Sequence, residues 1–521
     1  MQVETENFTL LSSAPEKWSI ELGRRLEVFR FVLAKVYPNL QLNSPVPTWF
    51  VVFRDKRLIQ THLPRDGDSA GLINGFFAAG ITENHAVVLA DSPDGSMESV
   101  YHEYGHFVIR NNLPGVPLWF EEGVAECYES FRFDGRKAQF ARLEEDELGF
   151  MRSRSFMPLR EFLQVTPYSS AYRSGESSVL FHVQAWALVH YLLWDRPDRR
   201  PHLIRFLEAV REGNDLDAAF ASSFQTTYGK MEGELRAHLG QRKFSSASVS
   251  IEGTQVDDRG RVKPLERADL LIHLGNLLLH VAPHRDEEAV KDYEEALRVD
   301  VSSARAHAGL AEVYDRRGRY DQADRHFDAA LAIAPEDPWI NFNYARSLLR
   351  RHELQGPRRL VRGAETPAIL VRARELFQKT IQTRREFGEA YLGFAKTFLY
   401  GGGPWGGAIP PLEAARALLP NRPDVLACLV VAQVRKANLE AARELITRLA
   451  RMNSAADIGF VDAALAPPDP VRDKVEGAGP SVDAGPTFDQ LVATIDDPKT
   501  RQRLAELLRI SLEGDRAVPD R

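Results

Sequence analysis

The residues with the clearest potential for chemistry lie in the segment Tyr101-His-Glu-Tyr-Gly-His106. Residues four apart share one face of a helix, so His102 and His106 can direct two imidazole nitrogens at one ion. Glu103 is next to His102 and faces the same pocket, but it is offset from the ligand pair. A carboxylate in that position can take a proton from a metal-bound water. The spacing predicts a zinc-dependent hydrolase with Glu103 as general base, and the alternative is a surface helix with solvated histidines.

A second segment, Trp119-Phe-Glu-Glu-Gly-Val-Ala-Glu126, supplies candidates for a third ligand. A catalytic zinc ion needs three protein ligands and one open position. Glu122 is the natural third ligand, on a second helix that Pro117 can begin from its first turn. Glu121 remains an alternative for that role. Glu126 lies one turn beyond Glu122 and can reach the far nitrogen of a liganding histidine, so we expect it to fix the ring's orientation.

At these residues the chain resembles the gluzincin metallopeptidases, the clan of thermolysin and the zinc aminopeptidases. Their pattern is H-E-x-x-H followed by a downstream helix that carries a glutamate ligand. The resemblance covers roughly residues 8–240 and is closest to bacterial proteins that join such a domain to tetratricopeptide repeats. It implies an α+β zincin-like catalytic domain, made of a small sheet and active-site helices, with one Zn²⁺ per chain that hydrolyses peptide bonds. The sequence lacks a G-x-M-E-N-like anchor for a free substrate amine, which slightly favours endopeptidase over aminopeptidase activity.

The resemblance also implies a donor for the oxyanion of the tetrahedral intermediate. In the family a tyrosine on a helix does this work, and residues 178–194 predict that helix here. His182 occupies the matching position, where an imidazole can donate the same hydrogen bond. The alternative is a histidine that is hydrogen-bonded in the core. Tyr168, Tyr172 and His190 are fallback donors, and His190 is better explained by packing.

Other elements must position these residues. Apolar spacing predicts an amphipathic helix over 20–36, and Trp49–Phe53 predicts a strand. Residues 70–91 predict two short strands about a turn, and the resemblance implies that one of them is a sheet edge that pairs with substrate. Residues 202–240 predict further helices.

The C-terminal half has a different pattern. Residues 304–335 fit a tetratricopeptide repeat: Ala311 and Ala323 allow close helix approach, Tyr314, Tyr320 and Phe327 fill the space between the helices, Gly318 makes the turn and Pro335 ends the second helix. Looser copies flank this window. Together they predict an all-α solenoid of about five helix pairs, whose concave surface binds a peptide or protein partner.

These patterns predict the following domains: a catalytic domain over 1–243, a polar linker over 244–266, tetratricopeptide repeats over 267–453, a disordered Pro/Gly-rich linker over 454–486 and a C-terminal helix and tail over 487–521. The C-terminal helix is expected either to cap the last repeat or to dock elsewhere.

Composition and charge bear on the kind of partner and on the cellular location that we expect. The chain has 521 residues with a net charge of −7, 44% hydrophobic and 27% charged residues. This balance gives no reason to expect nucleic-acid binding. No apolar run is long enough to span a membrane and no signal peptide is visible, so we expect a cytoplasmic protein, or an exported one if the recorded start is truncated.

Two functions from different classes follow. In the first, the protein is an active zinc peptidase whose repeats recruit a substrate or partner. In the second, it is a repeat-based binding adaptor whose peptidase-like domain has little or no activity. The joint presence of Glu103, His102, His106 and Glu122 favours the first, whereas histidine in place of tyrosine at position 182 favours the second.

Overall fold

A computed structural model describes residues 1–55, 57, 75–90, 95–113, 115–142, 149, 154–166, 169–173, 175–211, 214–241, 243–252, 260–281, 285–355, 366–401, 405–419, 422–452, 454–466 and 486–516. The chain divides into two compact units, Met1–Asp292 and Tyr293–Arg521.

The N-terminal unit combines strands and helices. Its strands are β1 Gln2–Glu4, β2 Thr9–Ser12, β3 Thr48–Phe53, β4 Gly75–Ala78, β5 Asn84–Leu89, β6 Arg132–Phe133, β7 Lys137–Phe140, β8 Ala247–Ser250 and β9 Arg261–Lys263. Its helices are α1 Glu16–Val36, α2 Gly95–Asn112, α3 Leu118–Glu129, α4 Leu159–Phe162, α5 Ser170–Arg173, α6 Gly175–His190, α7 Arg200–Arg211, α8 Leu216–Phe224, α9 Tyr228–Leu239 and α10 Arg267–Val281. A π-helical turn, Tyr191–Asp195, extends α6.

The main sheet has the order β4-β5-β3-β2-β1-β9. Strands β2, β3 and β5 are parallel, and β4 pairs with β5 in the antiparallel direction at the sheet edge. The central strand β3 reads as a continuous apolar run because both of its faces are covered. Phe50 contributes to the core that contains α1 and α2, whereas Val51 contributes to a second cluster with Leu277 of α10. The strands and the first helix expected from sequence are therefore present.

The expected linker over 244–266 is different in the structure. Its residues 247–250 form β8, which pairs with β7 in a small sheet of order β6-β7-β8. Its residues 261–263 form β9, which pairs with β1 of the main sheet. Helix α10, expected as the first repeat helix, packs on the main sheet through Leu277. The N-terminal unit thus extends beyond the predicted boundary at 243.

The C-terminal unit is helical in the part of the chain that the structure describes. Helix α11 Asp286–Val299 crosses the boundary at residue 292, and the helices that follow are α12 Ala304–Arg316, α13 Tyr320–Ile333, α14 Pro338–Gln355, α15 Ala368–Thr383, α16 Gly388–Tyr400, α17 Ile409–Leu418, α18 Pro423–Arg435, α19 Leu439–Arg451, α20 Ala455–Leu465, α21 Phe488–Ala493 and α22 Pro498–Arg516. Consecutive helices pack as the pairs α12–α13, α14–α15, α16–α17 and α18–α19.

The repeat motif explains the α12–α13 pair. Ala311, Ala323 and Phe327 are fully buried, so small and aromatic side chains alternate across the interface. Gly318 has a φ of 69°, a left-handed conformation that favours glycine, and it makes the turn between the two helices. These features confirm the prediction of a tetratricopeptide repeat in this window.

The region after the last pair is partly helical instead of disordered. Helix α20 lies within the expected 454–486 linker, and residues 467–485 lie outside the described residues. Leu491 and Leu504 from the two C-terminal helices are buried in one cluster with Ile446 of α19 and Val461 of α20. The C-terminal helices therefore cap the last repeat pair, which was one of the two expected arrangements.

Among the described helices, none combines the length and apolar character that crossing a membrane would require.

Candidate metal centre

Helix α2 brings the two predicted histidine ligands together. His102 and His106 lie on the same helical face, and their Nε2 atoms are 3.1 Å apart. The opposite face carries Tyr101 and Val108, which are buried in the core of the N-terminal unit. These apolar contacts hold the helix in place. The side chains of His102 and His106 are 15% and 7% exposed. The pair therefore faces the edge of the core, where an ion can reach it.

Helix α3 places Glu122 against this pair. Its Oε2 atom lies 3.6 Å from His102 Nε2 and 3.4 Å from His106 Nε2. Gly123 makes the position possible because α3 packs directly on α6 there. A Cβ atom at Gly123 would lie only 2.4 Å from the backbone oxygen of Ala185 and 2.5 Å from a methyl group of Val189.

The three side chains fit a zinc ion. Ligand atoms around a tetrahedral zinc ion are about 3.3 Å apart, given bonds of about 2.0–2.1 Å. The three separations of 3.1, 3.4 and 3.6 Å bracket that value. In addition, Glu122 Oε2 is buried and has no hydrogen-bond partner. Burial alone would raise the pKa of Glu122, but the nearby imidazoles of His102, His106 and His182, at 3.4–3.6 Å from Oε2, lower it well below its usual range. A buried, ionised oxygen without a partner is what a cation ligand requires.

Neighbouring carboxylates orient the two histidine rings. His106 Nδ1 lies 2.9 Å from Glu121 Oε1, which also accepts a hydrogen bond from Arg110 at 2.6 Å. Glu121 therefore contacts the outer nitrogen of His106, whereas Glu122 faces its Nε2 atom. Sequence reasoning missed this contact, although the adjacent pair of glutamates in the motif was its signal.

The far side of His102 faces Glu129 and Glu126. Its Nδ1 atom is 3.5 Å from Glu129 and 3.8 Å from Glu126. Burial, together with the nearby Glu129, raises the pKa of Glu126 to about 8. The predicted position of Glu126 behind His102 is present, but Glu129 is the nearer carboxylate. Nothing in the motif indicated Glu129, which lies another turn along α3.

Glu103 connects α2 to the sheet edge. Its Oε2 atom accepts a hydrogen bond of 3.0 Å from the backbone N–H of Phe77 in β4. Burial raises the pKa of Glu103. Of the two strands predicted over 70–91, β4 is thus the edge strand beside the site.

His182 also faces Glu122. Its Nδ1–H donates to the backbone oxygen of Ser178 at 2.8 Å, which leaves Nε2 as the nitrogen that lies 3.4 Å from Glu122 Oε2. The His182 ring stacks on Tyr172, at 5.5 Å between ring centroids. The Tyr172 hydroxyl donates to Glu122 Oε1 at 2.8 Å. Tyr172 therefore holds the carboxylate, a role that sequence reasoning missed.

His190, another fallback donor, is not at this centre. His190 is fully buried, and its Nε2 lies 2.7 Å from the backbone oxygen of Ser245. Its ring stacks on Trp186 at 4.5 Å, so His190 is a core residue. Tyr168 lies outside the described residues.

Comparison with known proteins identifies a tetratricopeptide repeat in the C-terminal half of the chain. The model of a family described as "Tetratricopeptide repeat" matches residues 304–347, which contain α12, α13 and the first part of α14. A comparison with curated proteins gave no match. The family match confirms the predicted repeat, whereas the resemblance to the gluzincins stays a prediction.

Solved structures similar to this chain include three with low identity. YrrB, described as a TPR protein with an unusual peptide-binding site, is 22% identical, with 36% of this chain and 86% of YrrB covered and a TM-score of 0.29. PilF of Pseudomonas aeruginosa is 20% identical, with 48% of this chain and 96% of PilF covered and a TM-score of 0.33. PilW, described as a widely conserved type IV pilus biogenesis factor, is 17% identical, with 48% and 96% covered and a TM-score of 0.34.

Proposed function

We propose that this tetratricopeptide-repeat protein carries a zinc centre in its N-terminal unit and uses it to hydrolyse peptide bonds. The observation that carries the proposal is the buried Oε2 of Glu122, which has no hydrogen-bond partner and faces the Nε2 atoms of His102 and His106 at 3.6 and 3.4 Å. Without a cation, this arrangement leaves a buried carboxylate oxygen unsatisfied, which costs free energy.

The residues around the centre suit hydrolysis. Zinc, when bound by His102, His106 and Glu122, would supply a Lewis acid and an activated water. Glu103 would serve as the general base there, and its raised pKa brings it closer to the neutral range in which a general base works best. His182 directs its Nε2 toward the same centre, and because Nδ1–H is already bonded to Ser178, Nε2 can donate to a developing oxyanion when the ring is protonated. Burial lowers the pKa of His182, but the nearby Glu122 and Glu126 raise it above its usual value, which favours the protonated ring.

The repeats suit recruitment of a protein or peptide. Tetratricopeptide helix pairs stack so that each repeat contacts only its neighbours, and the concave surface formed by such stacks binds partners. In this proposal, the array brings the substrate, or a partner that carries it, to the chain.

A second candidate is a binding adaptor without turnover. The family match supports it, because that match lies in the repeats. Both candidates share the protein-binding repeats, and they differ in whether the zinc centre cleaves peptides.

Metal content and cleavage, measured on the same preparations, separate the two candidates. We expect about one zinc ion at the His102 centre and cleavage of casein or a peptide library that a chelator stops and added zinc restores. Glu122→Gln should lower the occupancy of this centre, because the third ligand loses its charge. The matched control is Glu98→Gln, which removes a carboxylate on the same helix that pairs with Arg132. Full occupancy in Glu122→Gln would refute the ligand set, and occupied protein without cleavage would favour the adaptor.

A further inference from the structure

A second group of side chains that can bind metals lies between the main sheet and helix α10. Glu83 directly precedes β5, His85 is the second residue of β5 and His280 lies near the end of α10. His85 points to the same side of β5 as Leu89, which shares an apolar cluster with Leu277 of α10. Polar side chains at the end of this apolar interface need a partner.

His85 does not have such a partner. The residue is 0% exposed, and neither of its ring nitrogens makes a hydrogen bond. Burial lowers the pKa of His85 to about 4, so the ring is neutral at physiological pH. A neutral imidazole with an available lone pair is the form that binds transition metals. A buried ring with two unsatisfied nitrogens is otherwise unfavourable.

Two imidazole nitrogens converge on one carboxylate oxygen in this group. His85 Nε2 lies 3.7 Å from Glu83 Oε1, and His280 Nδ1 lies 3.8 Å from the same oxygen. One ligand atom from each of the three residues lies within 4.8 Å of the others. A tetrahedral zinc ion would bring such atoms to about 3.3 Å, so the approach needs a contraction of a few tenths of an ångström along the two measured edges. The arrangement repeats that of Glu122 with its histidines.

The contacts around Glu83 also resemble those of a ligating carboxylate. Ligating carboxylates are usually hydrogen-bonded by outer groups. Glu83 accepts a bond from Trp49 Nε1 at 3.0 Å and one from Asn276 Nδ2 at 2.6 Å. His280 Nδ1 donates to the backbone oxygen of Asn276 at 2.7 Å. Binding at this nitrogen would replace the proton of that bond, so metal and proton compete there.

We propose that Glu83, His85 and His280 form a second site for a divalent transition-metal ion, with zinc as the best match, that ties helix α10 to the main sheet. Two imidazoles and one carboxylate are ligands that zinc favours, and the fourth position can hold water. The site shares no residue with the centre at His102, so either can exist without the other.

Zinc stoichiometry of the full-length chain tests the proposal. The protein is stripped with a chelator and dialysed against zinc, and the bound metal is measured by mass spectrometry. Because the His102 centre also binds zinc, the double variant His102→Gln/His106→Gln isolates the new site. We expect about two equivalents in the native chain, about one in the double variant and none after His280→Gln is added. A double variant without zinc, or one whose zinc survives His280→Gln, would overturn the proposal.

Further variants separate metal loss from misfolding. His280 is 19% exposed at its side chain, so its replacement disturbs packing less than replacement of His85. Glu83→Gln is the second test, because it removes the ligand charge while its amide oxygen keeps an acceptor for one of the two donors, Trp49 or Asn276. In the double-variant background, zinc should raise the melting temperature, and this rise should disappear when His280→Gln or Glu83→Gln is added. Circular dichroism should show that these variants keep the fold. His352→Gln, a histidine change in the repeats, is the control and should leave the stoichiometry unchanged. A zinc-dependent rise that persists in Glu83→Gln and in His280→Gln would count against the site.

Discussion

Two helix interfaces of this protein bury different types of side chain, ionisable in one and apolar in the other. Where α3 meets α2 and α6, the interface holds Glu122 and His106, both more than nine-tenths buried. Where α12 meets α13, it holds Ala311, Ala323 and Phe327, which are apolar and complete each other's packing. An unsatisfied buried polar group costs about 1–3 kcal/mol, so only the first interface leaves free energy to be recovered by a ligand. Metal removal should therefore affect the N-terminal unit and leave the repeat interface unchanged.

The substitution with the largest expected effect removes the proposed general base, Glu103, and leaves the proposed metal ligands unchanged. Glu103→Gln should reduce kcat for peptide cleavage by about 10²–10⁴-fold, because an amide cannot accept the proton. Zinc content should be unchanged, since Glu103 bonds the backbone of Phe77 and is not in the ligand set. Steady-state kinetics with metal analysis of the same sample measures both.

The control for Glu103→Gln is again Glu98→Gln on the same helix. Undiminished turnover in Glu103→Gln would take this residue out of the mechanism and leave the zinc centre without an identified base.

The next effect concerns His182. Because its Nε2 faces the centre, His182→Phe should lower kcat by about 10²–10³-fold while zinc is retained, as removal of an oxyanion donor does. KM should change less, because the donor acts mainly in the transition state. His182→Tyr places the hydroxyl of the resembled family there and should recover part of the loss.

If His182→Phe instead releases zinc, the ring serves as a metal ligand or as a support for Glu122. A loss below about tenfold, with zinc retained, would make His182 a packing residue beside Tyr172.

Two substitutions with smaller expected effects test which carboxylates orient the rings of His102 and His106. Glu121→Ala removes the 2.9 Å contact to His106 and should weaken zinc binding by about 10–100-fold. Glu126→Ala should weaken it less, because its contact to His102 is longer at 3.8 Å. Competition with a chromophoric chelator gives both affinities. Equal losses would mean that the distances from these carboxylates to the histidine rings do not predict their effect on zinc affinity.

The sequence predicted that His102 and His106 lie side by side because the pattern that places them is local. His102, Glu103 and His106 occupy one helix, and helical periodicity alone places the two histidines on one face. The repeat window was equally local, since Gly318 and the small residues that follow a fixed spacing are contained in one helix pair. These predictions needed no knowledge of distant contacts.

The parts that sequence reasoning missed depend on long-range packing. Tyr172 reaches Glu122 across 50 residues, and no spacing rule connects them. Strands β8 and β9 are short, exposed edge strands with polar residues, so their alternation is hard to distinguish from a turn-rich linker. Helix α10 reads as a repeat helix because its apolar residues suit any partner, and only the fold shows that it covers a sheet.

Two glycines at close helix contacts, one in each unit, allow a comparison with smaller expected effects, and the one in the repeats lies where α12 meets α11. Gly123 lets α3 approach Ala185, and Gly309 lets α12 approach the ring of Tyr293, which would lie 2.3 Å from an added Cβ. Overpacking of this kind costs about 1–3 kcal/mol, so Gly123→Ala and Gly309→Ala should destabilise their own units by similar amounts. Denaturant unfolding, followed with a probe in each unit, measures these losses.

The metal content of the two glycine variants should differ. In Gly123→Ala, the displaced α3 carries Glu122 with it, so zinc affinity should fall together with stability. In Gly309→Ala, the strain falls on an interface that binds no ion, and zinc affinity should equal that of the native chain. Because the two changes are chemically identical, a loss of zinc in both would show that the centre and the repeats are energetically coupled. Retention of zinc in both would show that the ligand geometry tolerates a shift of α3, and the close approach at Gly123 would then be a matter of packing alone.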